Sequence, residues 1–221
     1  NICCTGTGRF SSSDPSFHQF PYKSAVLDSF VSRFGPPGIL LDCDIKQIEM
    51  RIMAVLSQDP VMIATLLEGK DIHWAVTAQC EGRTVEEMMA HPEGSALRRR
   101  YKQVSFGVIY GRGSKAIADA EHLAEDHARA IVQNFLEKMT GIGRYKDAQN
   151  EFVHTHGYVE TPLGWRRPTP YVNSDDRAAR AKAERVAVNT PVQGGSSQII
   201  SQSIRELYWA LTRLEGQGRG L

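Results

Sequence analysis

Apolar and polar positions fall into helical spacing over most of the chain. Two short stretches behave otherwise. The first, "GILLDCD" at 38–44, is a brief apolar run that opens after Pro36-Pro37 and closes on an acid. Its length and punctuation predict a buried strand. The second, "HGYVETPLGWRRPTP", alternates and turns around 162–164, which predicts a β-hairpin. Between them, "QIEMRIMAVLSQD" carries helical propensity and stops at Asp59-Pro60, and further helices are expected at 61–68, 71–80, 94–110, 125–139 and 143–155. A last helical pattern runs over 175–214, with an interruption expected near Pro191. The first 37 residues read as irregular, with apolar islands at 17–22 and 26–34. Helices outnumber strands without alternating with them, so the expected class is α+β.

Composition changes this picture little. The 221 residues are 41% hydrophobic and 23% charged, with a net charge of +1, which is ordinary for a globular protein with a substantial core. Near-neutral charge does not exclude a nucleic-acid partner, because placement matters more than the sum. Basic residues do cluster, at Arg98 to Arg100 with Lys102, at Arg166 and Arg167, and at Arg177, Arg180, Lys182 and Arg185. Solvated faces often carry such runs. The four cysteines show no Cys-x-x-Cys spacing and no secretory signal precedes them, which points to reduced thiols in a cytoplasmic setting. His154-x-His156 and the pair His122 and His127 lack the cysteine or carboxylate neighbours of a zinc site. No apolar run has the length of a membrane span.

One stretch carries a chemical suggestion. In "RRRYKQVSFGVIYGRG", Arg98, Lys102, Phe106 and Tyr110 recur at every fourth position. On a helix such residues drift by only about 40° per step, so they share one broad face. Charge lies at one end of that face and rings at the other. A nucleoside triphosphate, with a polyanionic tail and a flat head, has the complementary form.

The same stretch matches Arg-x-x-x-Lys-x-x-x-Phe-Gly-x-Ile-Tyr-Gly and resembles the fingers helix of the family A DNA polymerases. Other segments resemble that family in the same order. "TGRFSSSDP" at 7–15 is similar to its Thr-Gly-Arg-x-Ser-Ser element, and "DCDIKQIEMRIMA" at 42–54 to its palm motif. "GKDIHWA" at 69–75 resembles the segment that follows. "GYVETPLGWRR" at 157–167 resembles a late fingers hairpin, and "ERVAVNTPVQG" at 184–194 the primer–template contact helix.

The resemblance implies roles as well as a right-hand fold. Residues 1–60 would form part of the palm, 61–175 the fingers, and 176–221 the return to the palm. Asp44, with the carbonyl of Ile45, would contribute to a pair of Mg2+ ions, while Asp42, two residues earlier, would not. Gln47, Glu49, His73, Arg98, Lys102, Phe106 and Tyr110 would meet the dNTP. Among these, Glu49 would crowd the ribose 2′ carbon and Lys102 would neutralise or protonate pyrophosphate. Phe106, lacking a phenol, would disfavour dideoxynucleotides. Arg9, Gly111, Arg185, Asn189 and Gln193 would meet primer–template DNA, the last three from one helical face at minor-groove acceptors shared by all base pairs.

Two departures qualify this. "SFHQFPYK" at 16–23 is a loose version of the family's Asn-x-Gln-Asn-x-Pro-x-Arg, with Lys23 in place of arginine, so phosphate contacts there are in doubt. No His-Asp-Glu tripeptide, which would carry the second palm acid, occurs in the 221 residues. The thumb and exonuclease segments are likewise not recognisable. The expectation is a palm-and-fingers piece, either a fragment or part of a split polymerase completed by a second polypeptide, and unable to extend primers alone. A non-catalytic DNA- or nucleotide-binding module is the alternative from another class. A single-subunit RNA polymerase is disfavoured by Glu49.

Overall fold

The computed structural model describes residues 2–16, 20, 26–32, 35, 38–40 and 42–216. They divide into two compact units, one from 1–46 with 196–221 and the other from 47–195.

In the first unit, β1 (Ile2–Cys4) and β2 (Phe10–Ser12) form an antiparallel hairpin with Ile2 opposite Ser12 and Cys4 opposite Phe10. This segment was expected to be irregular. Its strands, three residues each, read Ile-Cys-Cys and Phe-Ser-Ser and carry no apolar–polar alternation. The turn is closed by the Thr5 amide on the Arg9 carbonyl at 2.8 Å and the Gly8 amide on the Thr5 carbonyl at 2.9 Å. Ser197 Oγ then donates to the Gly8 carbonyl at 2.5 Å.

The strand expected at 38–44 is not present among the described residues. Ile39 and Leu40 are 76% and 60% exposed, and the chain from 42 to 45 carries no regular structure. The reason lies in strand physics. An extended segment becomes a strand only where a neighbour accepts its backbone hydrogen bonds. Each two-stranded sheet of the described residues pairs other segments.

The second unit is built from helices. α1 (Ile48–Ser57), α2 (Pro60–Leu67), α3 (Ile72–Glu81), α4 (Val85–Ala90) and α5 (Gly94–Ile109) come first. α6 (Ser114–Glu121), α7 (Glu125–Lys138) and α8 (Thr140–His156) follow. Met50, Met53, Met62, Ile72, Val104, Ile109, Phe135, Met139 and Ile142 are almost wholly buried and belong to one core. The starts of α2 and α3 follow from their caps. Asp59 accepts the amides of Val61 and Met62 at 3.1 and 3.2 Å, with Pro60 in the first turn. Asp71 accepts those of His73 and Trp74 at 2.8 and 3.2 Å. α4 and α6 were not anticipated. α4 is a six-residue helix held by a reciprocal capping box between Thr84 and Glu87. α6 spans only eight residues.

The expected hairpin is present as β3 (Tyr158–Glu160) and β4 (Arg166–Pro168), with Glu160 opposite Arg166. α9 (Arg177–Gly216) then runs unbroken through Pro191, contrary to the interruption expected there. Pro191 has no amide to offer the carbonyl one turn back. Beside it, the carbonyl of Val188 accepts a hydrogen bond at 3.0 Å from the buried Tyr145 hydroxyl of α8. α9 is thus held from the side at the turn its proline weakens.

Candidate active site

α5 buries Tyr101, Val104, Val108 and Ile109 and turns another face outward. On that face Arg98, Phe106 and Tyr110 are half-buried and Lys102 is exposed. Lys102 Nζ lies 5.9 Å from the Phe106 ring centre, and Phe106 stacks on Tyr110 at 5.8 Å with ring planes 14° apart. The arrangement of cations at one end and rings at the other is therefore realised.

Two elements complete this face from outside the helix. From α1, the buried Glu49 carboxylate accepts a hydrogen bond from the Tyr110 hydroxyl. From α3, the buried His73 ring stands 5.7 Å from Phe106. Burial pushes the His73 imidazole down to about 4, with the Asp71 charge opposing and Lys102 and Arg98 reinforcing the shift. A ring in that condition is neutral at physiological pH. Its Nδ1 is buried with no partner among the described residues. Gln47, half-buried in the left-handed backbone region at φ +56°, precedes α1.

Arg98 holds a partner that sequence reasoning passed over. Its Nη2 donates to Asp71 Oδ2 at 2.6 Å, and its Cζ lies 5.5 Å from the Trp74 ring centre. Burial alone would raise the Asp71 carboxyl. The Arg98 hydrogen bond and the two backbone amides outweigh it and hold the group below the usual carboxylate range. In the sequence Asp71 stands at the start of an expected helix with no role assigned, since nothing local links it to Arg98.

α5 ends in a paired-amide cap. Gly111 N–H donates to the Val108 carbonyl at 3.0 Å, and Arg112 N–H to the Gly107 carbonyl at 2.7 Å. Gly111 sits at φ +67°, and a Cβ there would lie 2.8 Å from Arg185 Cγ. Glycine is required twice over, for the turn and for the approach of α9. Arg185, Asn189 and Gln193 follow one another along one face of α9. Arg185 is exposed, while Asn189 buries a side-chain carbonyl without a partner among the described residues.

The remaining expected site residues, Arg9, Asp44 and Ile45, belong to the first unit and are exposed. Asp42 is exposed as well. Among the described residues no group of three histidine, cysteine or acidic side chains is arranged to hold a metal ion. Asp44 offers a hard oxygen donor suited to magnesium, and among the described residues too few ligands stand with it to hold an ion. His154, one of the paired histidines, bonds Asn173 at 2.8 Å and Glu184 at 3.1 Å. Cys43 is exposed and Cys80 buried, both as free thiols, with burial pushing Cys80 up to about 12. No helix of the described residues is long and apolar enough to cross a membrane.

Comparison with known proteins identifies the family. The profile of DNA polymerase family A matches residues 1–219. The DNA polymerase I of Rhizobium leguminosarum is 30% identical over 218 residues, covering 97% of this chain and 21% of that protein. The DNA polymerase I of Deinococcus radiodurans is 33% identical over 205 residues, covering 91% and 21%. This chain thus spans about a fifth of the length of either relative. A solved structure described as the POL domain of Pol1 from M. smegmatis in complex with DNA primer-template and dNTP superposes with a TM-score of 0.77. It is 30% identical and covers 92% of this chain and 37% of that one. With the family profile matching residues 1–219, nearly the whole of the 221, the chain belongs to DNA polymerase family A.

Proposed function

We propose that this chain takes part in template-directed DNA synthesis by supplying the dNTP-binding face and part of the catalytic palm. The observation that carries this reading is the outer face of α5, where Arg98, Lys102, Phe106 and Tyr110 converge with His73 and Glu49. Its cations suit a triphosphate and its stacked rings suit a base and sugar. In this reading 61–175 acts as fingers, with 1–60 and 176–221 contributing to the palm.

The reaction is attack of a primer 3′-hydroxyl on the α-phosphorus, with departure of pyrophosphate. Lys102 neutralises charge on the departing pyrophosphate and is placed to give it a proton. Arg98 binds the same phosphates, and His73 meets them through an imidazole kept neutral by burial. Phe106 stacks beside the incoming nucleotide, and Gln47 borders the same pocket. Glu49, held by Tyr110, occupies the volume a 2′-hydroxyl would need. Magnesium, when bound, would screen the phosphates and lower the pKa of the attacking hydroxyl. Asp44 and the Ile45 carbonyl would contribute ligands to it, the others coming from a polypeptide segment outside the described residues. Gly111, Arg185, Asn189 and Gln193, with Arg9, follow the duplex from its minor groove and phosphates.

Primer extension by the polymerase carrying this chain tests the assignment. Lys102→Ala is expected to lower the rate of dNTP incorporation by about 10²–10³-fold, the scale of a lost transition-state contact. Affinity for primer–template should stay nearly constant. An equal loss of DNA affinity would identify Lys102 as a duplex contact instead.

A further inference from the structure

We propose that Asp71 is a positioning residue for triphosphate recognition, one carboxylate setting the place of His73 and the orientation of Arg98 together. The inference rests on the nucleotide-site reading above and assigns a role to a residue that touches no substrate in it.

The two carboxylate oxygens do different work. Oδ1 accepts the His73 and Trp74 amides at 2.8 and 3.2 Å and so fixes the first turn of α3. Oδ2 accepts Arg98 Nη2 at 2.6 Å from α5, 27 residues away. Helix capping needs only the first oxygen, and serine or asparagine would cap as well as aspartate. The second oxygen is what reaches across to α5.

Its energetic value as a plain ion pair is small. The Arg98 and Asp71 side chains are 28% and 30% exposed, and pairs so open to water contribute little to folding. Its geometric value is larger. Arginine carries large rotamer entropy, which a bound anion would otherwise have to overcome. Here the guanidinium is held at one edge by Asp71 and over one face by Trp74 at 5.5 Å. Among the described residues a carboxylate engages Nη2 alone, and Nε is buried without a partner. Arg98 is thereby fixed with part of its guanidinium still open to solvent, where a polyphosphate can reach it. His73 is fixed through its own backbone by the same carboxylate, and its Nδ1 is likewise buried and unpartnered. Such prior ordering raises affinity by removing a cost of binding.

Titration calorimetry of the full chain with dATP and with inorganic tripolyphosphate, alongside thermal unfolding, tests this. Asp71→Asn keeps an oxygen for the cap but cannot accept from Arg98 at the second position. It should leave Tm close to that of the parent and weaken both ligands about 10-fold, as should Arg98→Ala. In the Arg98→Ala background, Asp71→Asn should then change affinity by no more than about twofold, because its effect passes through Arg98. Asp71→Ser, which also caps, provides the same comparison if the asparagine variant unfolds. An unchanged dissociation constant in Asp71→Asn, or an undiminished loss in the Arg98→Ala background, overturns the role of Asp71 alone. Failure of the parent chain to bind either ligand, or indifference of binding to Arg98→Ala, overturns the nucleotide-site reading and this inference with it.

Discussion

At the scale of single residues, the pairing of Glu49 with Tyr110 joins substrate selection to the end of α5. A buried carboxylate is costly unless hydrogen-bonded, and a phenol donating to it contributes about 1.5–3 kcal/mol. Tyr110→Phe keeps the ring that stacks on Phe106 but removes this donor. The Glu49 carboxylate should then hold its position less firmly. Glu49→Ala removes the carboxylate altogether and opens the space at the 2′ position. Both substitutions are expected to raise ribonucleotide incorporation relative to dNTP, Glu49→Ala by more, in a primer-extension assay with competing nucleotides. Equal selectivity in all three proteins would show that Glu49 does not act as the gate. The α5 side of this pairing was legible in sequence because spacings of four lie within one helix. The partners from α1 and α3 were named only through resemblance, since no local pattern encodes a contact 61 residues apart.

At the scale of elements, Asp59 shows how a short connection sets the angle between helices. Wholly buried, it caps α2 through Oδ1 and accepts the Gly141 amide at the start of α8 through Oδ2 at 2.9 Å. The approach is so close that a Cβ on residue 141 would lie 2.5 Å from Asp59 Cα. Asp59→Ala should lose a cap, about 1–2 kcal/mol, and strand the buried Gly141 amide, a further 1–3 kcal/mol. Gly141→Ala should destabilise comparably through overpacking. Urea unfolding measures both, and a change below about 1 kcal/mol in either would exclude the joint. Asp59-Pro60 was legible as the stop of the helix before it, whereas the bond of Asp59 to α8 was invisible. Long periodic helices such as α5 and α7 were legible, and α4 and α6 were not. α2 is as short as α6 yet was legible, because its run is almost wholly apolar (Val61, Met62, Ile63, Leu66, Leu67), whereas α4 and α6 place few large apolar residues in six and eight positions. The run at 38–44 misled in the opposite direction. Its apolarity records a capacity for burial, and the partner that would realise it is not a local property of the sequence.

At the scale of the molecule, burial is distributed very unevenly between the two units. Every buried apolar side chain among the described residues lies between Met50 and Val192, inside the unit formed by 47–195. The other unit buries Thr7, Ser196 and Ser197 and exposes Ile39, Leu40, Ile204, Leu207 and Trp209. Since apolar burial is the dominant favourable term in folding, cooperativity should reside in 47–195. Hydrogen exchange on the full chain should therefore show strong protection of the helix amides in α1, α3, α5 and α8. Amides at 42–46, exposed and without regular structure, should exchange at nearly the rate of an unfolded chain. A polypeptide comprising 47–195 should unfold in one cooperative transition, with a Tm within a few degrees of the full chain. The prediction has consequences for function, because Asp44 lies in the weakly buried unit and the α5 face in the strongly buried one. Titration of 47–195 with dATP should match that of the full chain, since His73, Arg98, Lys102, Phe106 and their supports Asp71, Glu49 and Trp74 all remain. A fragment that folds but no longer binds would show that residues of the other unit take part in nucleotide recognition. A fragment that does not fold would show that the core between Met50 and Val192 is insufficient without them.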